Sequence, residues 1–343
     1  MPLAALLFTL VKIVVVVLIL LTVVAYSVWF ERKLLARIQS RWGPTRVGPH
    51  GLLQPLADAI KLLTKEDITP SGVFRLVYFL APFLAVVTAL LTFAVIPFGP
   101  VTRVGGTDLF QIADLDIGLL FVLSVSSMGV YGIALAGWSS NSKYSLLGAL
   151  RSSAQMISYE LAVGLSVVGV LLLSSSLSLR TIVEAQAGTF WGFLPRWNVF
   201  PQFVGFFCFL VAAIAETNRL PFDLPEAETE LVAGYHTEYS SMKFAMFFMA
   251  EYTNMVAVSC MATLLFFGGW QGPAFGPDVL RAFLPLAWFS LKVFCFLFLY
   301  VWIRATLPRF RYDQLMAFGW KFLVPVALGN LVLTSFVLAL RSA

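Results

Sequence analysis

Long apolar runs alternate with short polar segments along the whole chain. A helix needs about 20 predominantly apolar residues to cross the hydrocarbon layer. Runs of that length predict eight spanning helices, roughly over residues 6–30, 76–98, 117–137, 154–174, 201–218, 243–268, 284–304 and 320–340. Backbone in hydrocarbon must satisfy its own hydrogen bonds, which helices do. The expected fold class is all-α: a polytopic membrane protein, with residues 1–343 as a single integral membrane domain.

One segment has a different pattern. In "GLLQPLADAIKLLTKED", Leu52, Leu53, Leu56, Ile60 and Leu63 share a helical face, with Gln54, Asp58, Lys61 and Lys65 opposite. A helix over 52–65 with that amphipathicity lies in the interface plane rather than crossing. Pro55 is compatible with its first turn. Just before it, "RWGPTRVGPHG" crowds Gly43, Pro44, Gly48, Pro49 and Gly51 together, so the chain must turn tightly there. Its bases and its place between two helices point to a docking surface; the alternative is a plain surface linker.

Composition narrows the class. The chain is 59% hydrophobic and 12% charged, with a mean hydropathy of +0.88, which leaves no room for a large water-soluble domain. The run from Leu3 to Phe30 reads as a retained first span, since it lacks a basic start and a small-residue cleavage site. Of the 23 Lys and Arg residues, sixteen fall in the first, third, fifth and seventh loops and five on the opposite face. The positive-inside rule therefore places the odd loops in the cytoplasm and both termini outside. Cys208, Cys260 and Cys295 are far apart in apolar segments and read as buried thiols. No paired cysteines, membrane histidines, dinucleotide fingerprint or phosphate loop suggest a metal, haem or nucleotide site. If the protein serves redox chemistry, another polypeptide carries the electrons. The expected surroundings are lipid, with no nucleic acid as partner.

Charge inside the spans needs a reason, because an ionisable side chain at mid-bilayer costs about 2.5–3.5 kcal/mol on insertion scales. Glu160, Glu251 and Lys292 are embedded in this way. They read either as a structural ion pair, such as Glu251 with Lys292, or as members of a proton path. Lys12 lies near an outer boundary and receives no role. A fifth-loop stretch, "ETNRLPFDLPEAETELVAGYHTE", adds Glu216, Asp223, Glu226, Glu228, Glu230 and Glu238 against one base, Arg219. The acidic cytoplasmic loop is expected over 216–242. Its interleaved Leu, Pro and Phe residues favour partial burial over a solvated charge run. Glu226 and Glu230 are four apart and would repel on one helical face, which raises proton affinity.

Four segments carry a resemblance: "ERKLLARIQSRWGPTRVGPHGLLQPLADAIKLLTKED", the acidic stretch extended through "YS", "AEYTNM" and "RATLPRFRYDQLMAFGWK". In this order they resemble the H subunit of NADH–quinone oxidoreductase, the respiratory complex I membrane component at the quinone site, over about residues 10–335. The resemblance implies a chain that joins the membrane arm to the peripheral arm and contains no complete active site or prosthetic group. FMN and iron–sulfur clusters belong to partner subunits, and quinone is the substrate. The quinone chamber is expected to open near Val24–Arg37, Leu52–Leu63 and the cytoplasmic part of the sixth span, with Glu31, Arg32, Arg37, Arg41 and Asp58 at its polar end. Glu216, Asp223, Glu226, Glu228 and Glu230 match the acidic loop bordering the chamber. Glu160 and Glu251 match buried carboxylates leading towards antiporter-like subunits, and Lys292 joins this expected proton path. Arg304, Arg309 and Arg311 beside Asp313 anchor a helix end and are candidates for contact with the peripheral arm. The expected location is a bacterial inner membrane. The rivals are a homologous component of a membrane-bound hydrogenase, a stand-alone secondary transporter, and a scaffold in which the embedded glutamates only pair with cations.

Overall fold

The computed structural model describes residues 3–104, 107–190, 192, 194–223, 232–275 and 277–342. It is an all-α membrane protein. Among the described residues, seven helices are long and apolar enough to cross a membrane, and an eighth apolar helix is shorter. The helices are α1 (Leu3–Ile38), α2 (Gln54–Thr64), α3 (Arg75–Leu91), α4 (Gly118–Ser139), α5 (Lys143–Ser174), α6 (Leu179–Ala185), α7 (Phe203–Glu216), α8 (Ser241–Phe266), α9 (Asp278–Thr306), α10 (Tyr312–Phe318) and α11 (Val324–Ser342). A π-helical turn, Gly319–Leu323, joins α10 to α11, so that the pair forms one rod.

α1 and α5 outrun the apolar pattern furthest. α1 continues past Phe30 to Ile38 because "ERKLLARI" contains good helix formers and no Gly or Pro. At 1.5 Å per residue it is about 54 Å long, well beyond a bilayer core. Glu31, Arg32 and Arg37 therefore ride on a rigid rod rather than a loop. α5 starts at Lys143, ahead of the apolar run that begins near residue 154. The added turns include Gly148, where a Cβ would come within 2.8 Å of the Gly234 backbone.

α8 is the centre of the bundle. Tyr252, Met255, Val256, Cys260, Leu264, Leu265 and Phe266 on it are all buried. α3, α5 and α7 pack against it on one side and α1 and α9 on the other, while α4 packs on α3 and α5; α1, α9 and α11 keep most of their apolar surface outward. That placement explains why Cys208 and Cys260 are buried while Cys295, on α9, is exposed, contrary to the sequence expectation. Small residues let helices approach closely. A Cβ on Gly137 of α4 would meet Ala149 Cβ at 2.2 Å and the Ser145 carbonyl at 2.6 Å on α5. Gly137→Ala is therefore expected to cost about 1–3 kcal/mol through overpacking. Thermal unfolding of the purified complex checks it; an unchanged midpoint would mean that this contact yields.

Two cations brace the end opposite the basic loops. Lys12 Nζ donates to the carbonyls of Asp108 and Gln111, both at 2.7 Å. Lys292 Nζ donates to those of Phe267 (2.7 Å), Gly269 (2.9 Å) and Gln271 (2.6 Å), just past the end of α8. Carbonyls at a helix C-terminus lack intrahelical partners and attract positive charge.

Candidate functional site

The tight turns expected over 43–51 are present. Gly48 and Gly51 have φ of 72° and 78°, and a Cβ on Gly51 would lie 2.2 Å from the Pro44 carbonyl oxygen. They deliver the chain into α2, with Pro55 in its first turn. α2 has no buried residue; Leu52, Leu53, Leu56, Ile60 and Leu63 remain exposed. It touches α1 and the start of α8, where Ser241 Oγ donates to the Leu62 carbonyl at 2.8 Å. The elements expected at the chamber entrance are thus neighbours.

The expected chamber residues fall into two groups, one facing α2 and the turn before it and the other facing the bundle interior. Arg32 pairs with Asp58 on α2 at 2.8 Å, and Gln54 Nε2 donates to the same carboxylate at 3.1 Å. Arg32, Leu35, Arg41, Trp42, Gly43 and Pro44 bound a recess of about 260 Å³. Arg37 and Arg41 are exposed, and Trp42 is 90% exposed. Glu31 points elsewhere, because successive helical residues do not share a face.

Glu31 is buried in an ion network. It accepts a hydrogen bond from Arg304 on α9 and one of 2.7 Å from Tyr252 Oη on α8. Arg219 Nη1 lies 3.8 Å from the same carboxylate, and Nη2 lies 3.8 Å from Glu251. The guanidinium stacks on the Tyr252 ring at 3.9 Å. Tyr235 Oη donates to Glu251 at 3.0 Å. Arg219 therefore bridges two carboxylates from different helices inside an apolar bundle.

Local structure puts Arg219 there. α7 ends at Glu216, and Asn218 takes a left-handed φ of 51°, a conformation that Asn adopts more readily than most residues. The buried Gln155 Nε2 donates to the Ala215 carbonyl at 2.8 Å and the Phe222 carbonyl at 2.9 Å, which pins the turn. Phe222 stacks on Phe310, and Asp223 pairs with Arg309 at 3.0 Å. The start of the acidic loop is thus clamped to the segment before α10. Glu226, Glu228 and Glu230 lie outside the described residues.

A second group of carboxylates lies beside this network. Ser126 Oγ on α4 donates to Glu216 at 2.7 Å. Glu160 on α5 has the Ser127 hydroxyl beside it and is close enough to Glu216 for their charges to interact. A cavity of about 40 Å³ runs from Glu216, Ser126 and Asn254 to apolar walls at Leu119 and Leu265. A smaller one, about 20 Å³, connects Glu216 with Glu251 and Tyr235.

Lys292 does not join these groups, and it has no carboxylate partner among the described residues. With its ammonium committed to three carbonyls, Lys292→Met is expected to cost about 3 kcal/mol. Protons moved per electron should be unchanged in the complex that assembles. A lower ratio would return Lys292 to the path.

Sequence reasoning left Arg219, Tyr235, Tyr252, Asn218 and Ser126 without roles. Arg219 carried a signal, as the lone base among six acids. The others carried none, since ordinary polar residues in apolar helices gain meaning only from what they face.

Fold and site together define a polytopic helical membrane protein with a buried carboxylate–guanidinium network beside small internal cavities. The family model for NADH dehydrogenase matches residues 11–335. The chain is 60% identical over 351 residues to the second NADH-quinone oxidoreductase H subunit of Koribacter versatilis, covering 98% of each chain. It is 54% identical to the first H subunit of Solibacter usitatus, with 96% of each covered, and 55% identical to the H subunit of Thermomicrobium roseum, with 93% and 92% covered. The chain belongs to this family, that of the NADH–quinone oxidoreductase H subunits.

Proposed function

We propose that this chain forms the quinone entry chamber of a proton-pumping NADH:quinone oxidoreductase and couples quinone reduction to proton movement. The observation that carries this reading is the bridging of Glu31 and Glu251 by Arg219, on the turn that opens the acidic loop, in a chain similar over nearly its whole length to proteins of the H-subunit family. The complex sits in a bacterial inner membrane with the basic loops in the cytoplasm and both termini in the periplasm. Its partners are the peripheral-arm quinone-site and iron–sulfur subunits, small membrane subunits and antiporter-like subunits. FMN and the clusters reside in those peripheral partners.

In this reading the isoprenoid tail enters between α1, α2 and α8, along the exposed apolar face of α2. The head group lies beyond Arg32, Arg37, Arg41 and Asp58 and reacts in a neighbouring polypeptide. Reduction consumes protons and changes the local charge, and Coulomb interaction carries that change far where the dielectric is low. Arg219 feels it through Glu31 and Arg304. A small shift of its guanidinium towards Glu31 weakens the hold on Glu251, which then takes up a proton. Glu216 and Glu160 continue the path inward. Asp223, Glu226, Glu228 and Glu230 buffer protons at the mouth.

The double variant Glu226→Gln/Glu228→Gln tests the buffering loop. Proton pumping and quinone reduction should both fall in the assembled complex. Wild-type values for both would reject the loop's role.

A further inference from the structure

The two cavities beside Glu216 share a wall made of Met156, Glu216, Thr217 and Asn254. The smaller cavity, about 20 Å³, also touches Asn218 and Glu251. That volume accommodates one water if polar groups line it. Asn218 is buried, and its Oδ1 has no hydrogen-bond partner among the described residues. Its Nδ2 is already engaged, donating to Met156 Sδ at 3.5 Å. Buried polar atoms are almost always bonded to protein or to ordered water, so a lone amide oxygen in a cavity wall marks a water position. Met156 is equally placed for a role. Its side chain lines the same small cavity as Glu216 and Glu251, next to the Asn218 amide, so its volume limits the room left for a water.

We propose that Asn218 and Met156 build a single-water relay between Glu251 and Glu216, within the smaller cavity that all four residues line. The proposal rests on the proton path of the preceding section and names the residues that make it conduct. The water donates one hydrogen to Asn218 Oδ1 and the other towards the Glu216 carboxylate. Protonated Glu251 passes its proton to the water as the water gives a different proton to Glu216. One O–H bond breaks and one forms at each end, the water is regenerated, and no electron moves. Asn218 orients the water, and Met156, on the wall of the same cavity, sets the space that the water occupies. Both are positioning residues, since neither exchanges a proton.

The test uses the assembled complex. Asn218→Gly keeps the left-handed turn and removes the amide; Met156→Phe fills the smaller cavity. Each is expected to slow pumping-coupled quinone reduction by about tenfold and to raise the solvent deuterium isotope effect, because the internal proton transfer becomes slow. Quinone KM should not move. Met156→Leu, close in volume, should behave as wild type. Wild-type rates and isotope effects in both altered forms would overturn the relay, even with Glu216→Gln inactive. Slowing with an unaltered isotope effect would also overturn it, since that marks a purely structural fault. Wild-type pumping in Glu216→Gln would instead overturn the underlying path. Should either altered form fail to assemble, the isotope effect of the other decides.

Discussion

Replacing Arg219 with Met is expected to prevent stable assembly of the complex. The guanidinium is buried, sits 3.8 Å from both Glu31 and Glu251, and covers the Tyr252 ring at 3.9 Å. Removing one partner of a buried ion pair typically costs about 3–5 kcal/mol, because the remaining charge is left without compensation. Glu31 keeps Arg304 and Tyr252, and Glu251 keeps the Tyr235 hydroxyl. Loss of the stacked cation adds about 2 kcal/mol where the site is desolvated. Together these approach the whole stability of a typical domain. Arg219→Lys retains the charge but lacks the planar fork that reaches two carboxylates and stacks on a ring, so an intermediate loss is expected. The double variant Arg219→Met/Glu251→Gln should recover part of the loss, since the two sites are coupled. The yield and thermal midpoint of the purified complex measure all three. A wild-type midpoint for Arg219→Met would show that the network contributes nothing to the fold.

The architecture was legible from sequence because hydrocarbon imposes a coarse rule: an apolar run of sufficient length becomes a helix. The bounds were less legible. Hydropathy registers where lipid ends, whereas α1 and α5 continue as helices beyond it, held by contacts such as those of Glu31 and Gly148 that hydropathy does not encode. Glu160 and Glu251 were readable from the cost of burying charge, Glu216 from the crowding of acids in the fifth loop, and Glu31 only from the family resemblance. Their partners were not. Glu251 and Lys292 look like a natural pair by type, yet helix geometry puts Lys292 at the opposite end of the bundle, on the carbonyls beyond α8. The true bridge, Arg219, enters from a turn whose path depends on Asn218 and Gln155, and no periodicity encodes such a contact.

Glu216→Gln should produce the opposite outcome to Arg219→Met: an intact complex that does not pump. The amide has the shape of the carboxyl group and can still accept the Ser126 hydrogen bond, which is 2.7 Å long in the structure. Stability should therefore change little. Glutamine cannot bind and release a proton, and loss of a positioned proton carrier typically costs 10²-fold or more, so about that drop is expected in pumping-coupled quinone reduction. Glu251→Gln should match it in rate, with some additional loss of stability because Arg219 then keeps one carboxylate fewer. Proton translocation in reconstituted vesicles, measured beside quinone consumption, separates the two quantities.

Whether these buried glutamates change protonation during turnover is read most directly by redox-triggered infrared difference spectroscopy on the assembled complex, comparing wild type with Glu216→Gln. A carboxylic-acid carbonyl band that changes when quinone is reduced, and that is missing from the variant, is the expected result. Carboxylates that stay ionised beside their cations throughout the cycle, with identical spectra for the two proteins, would contradict it.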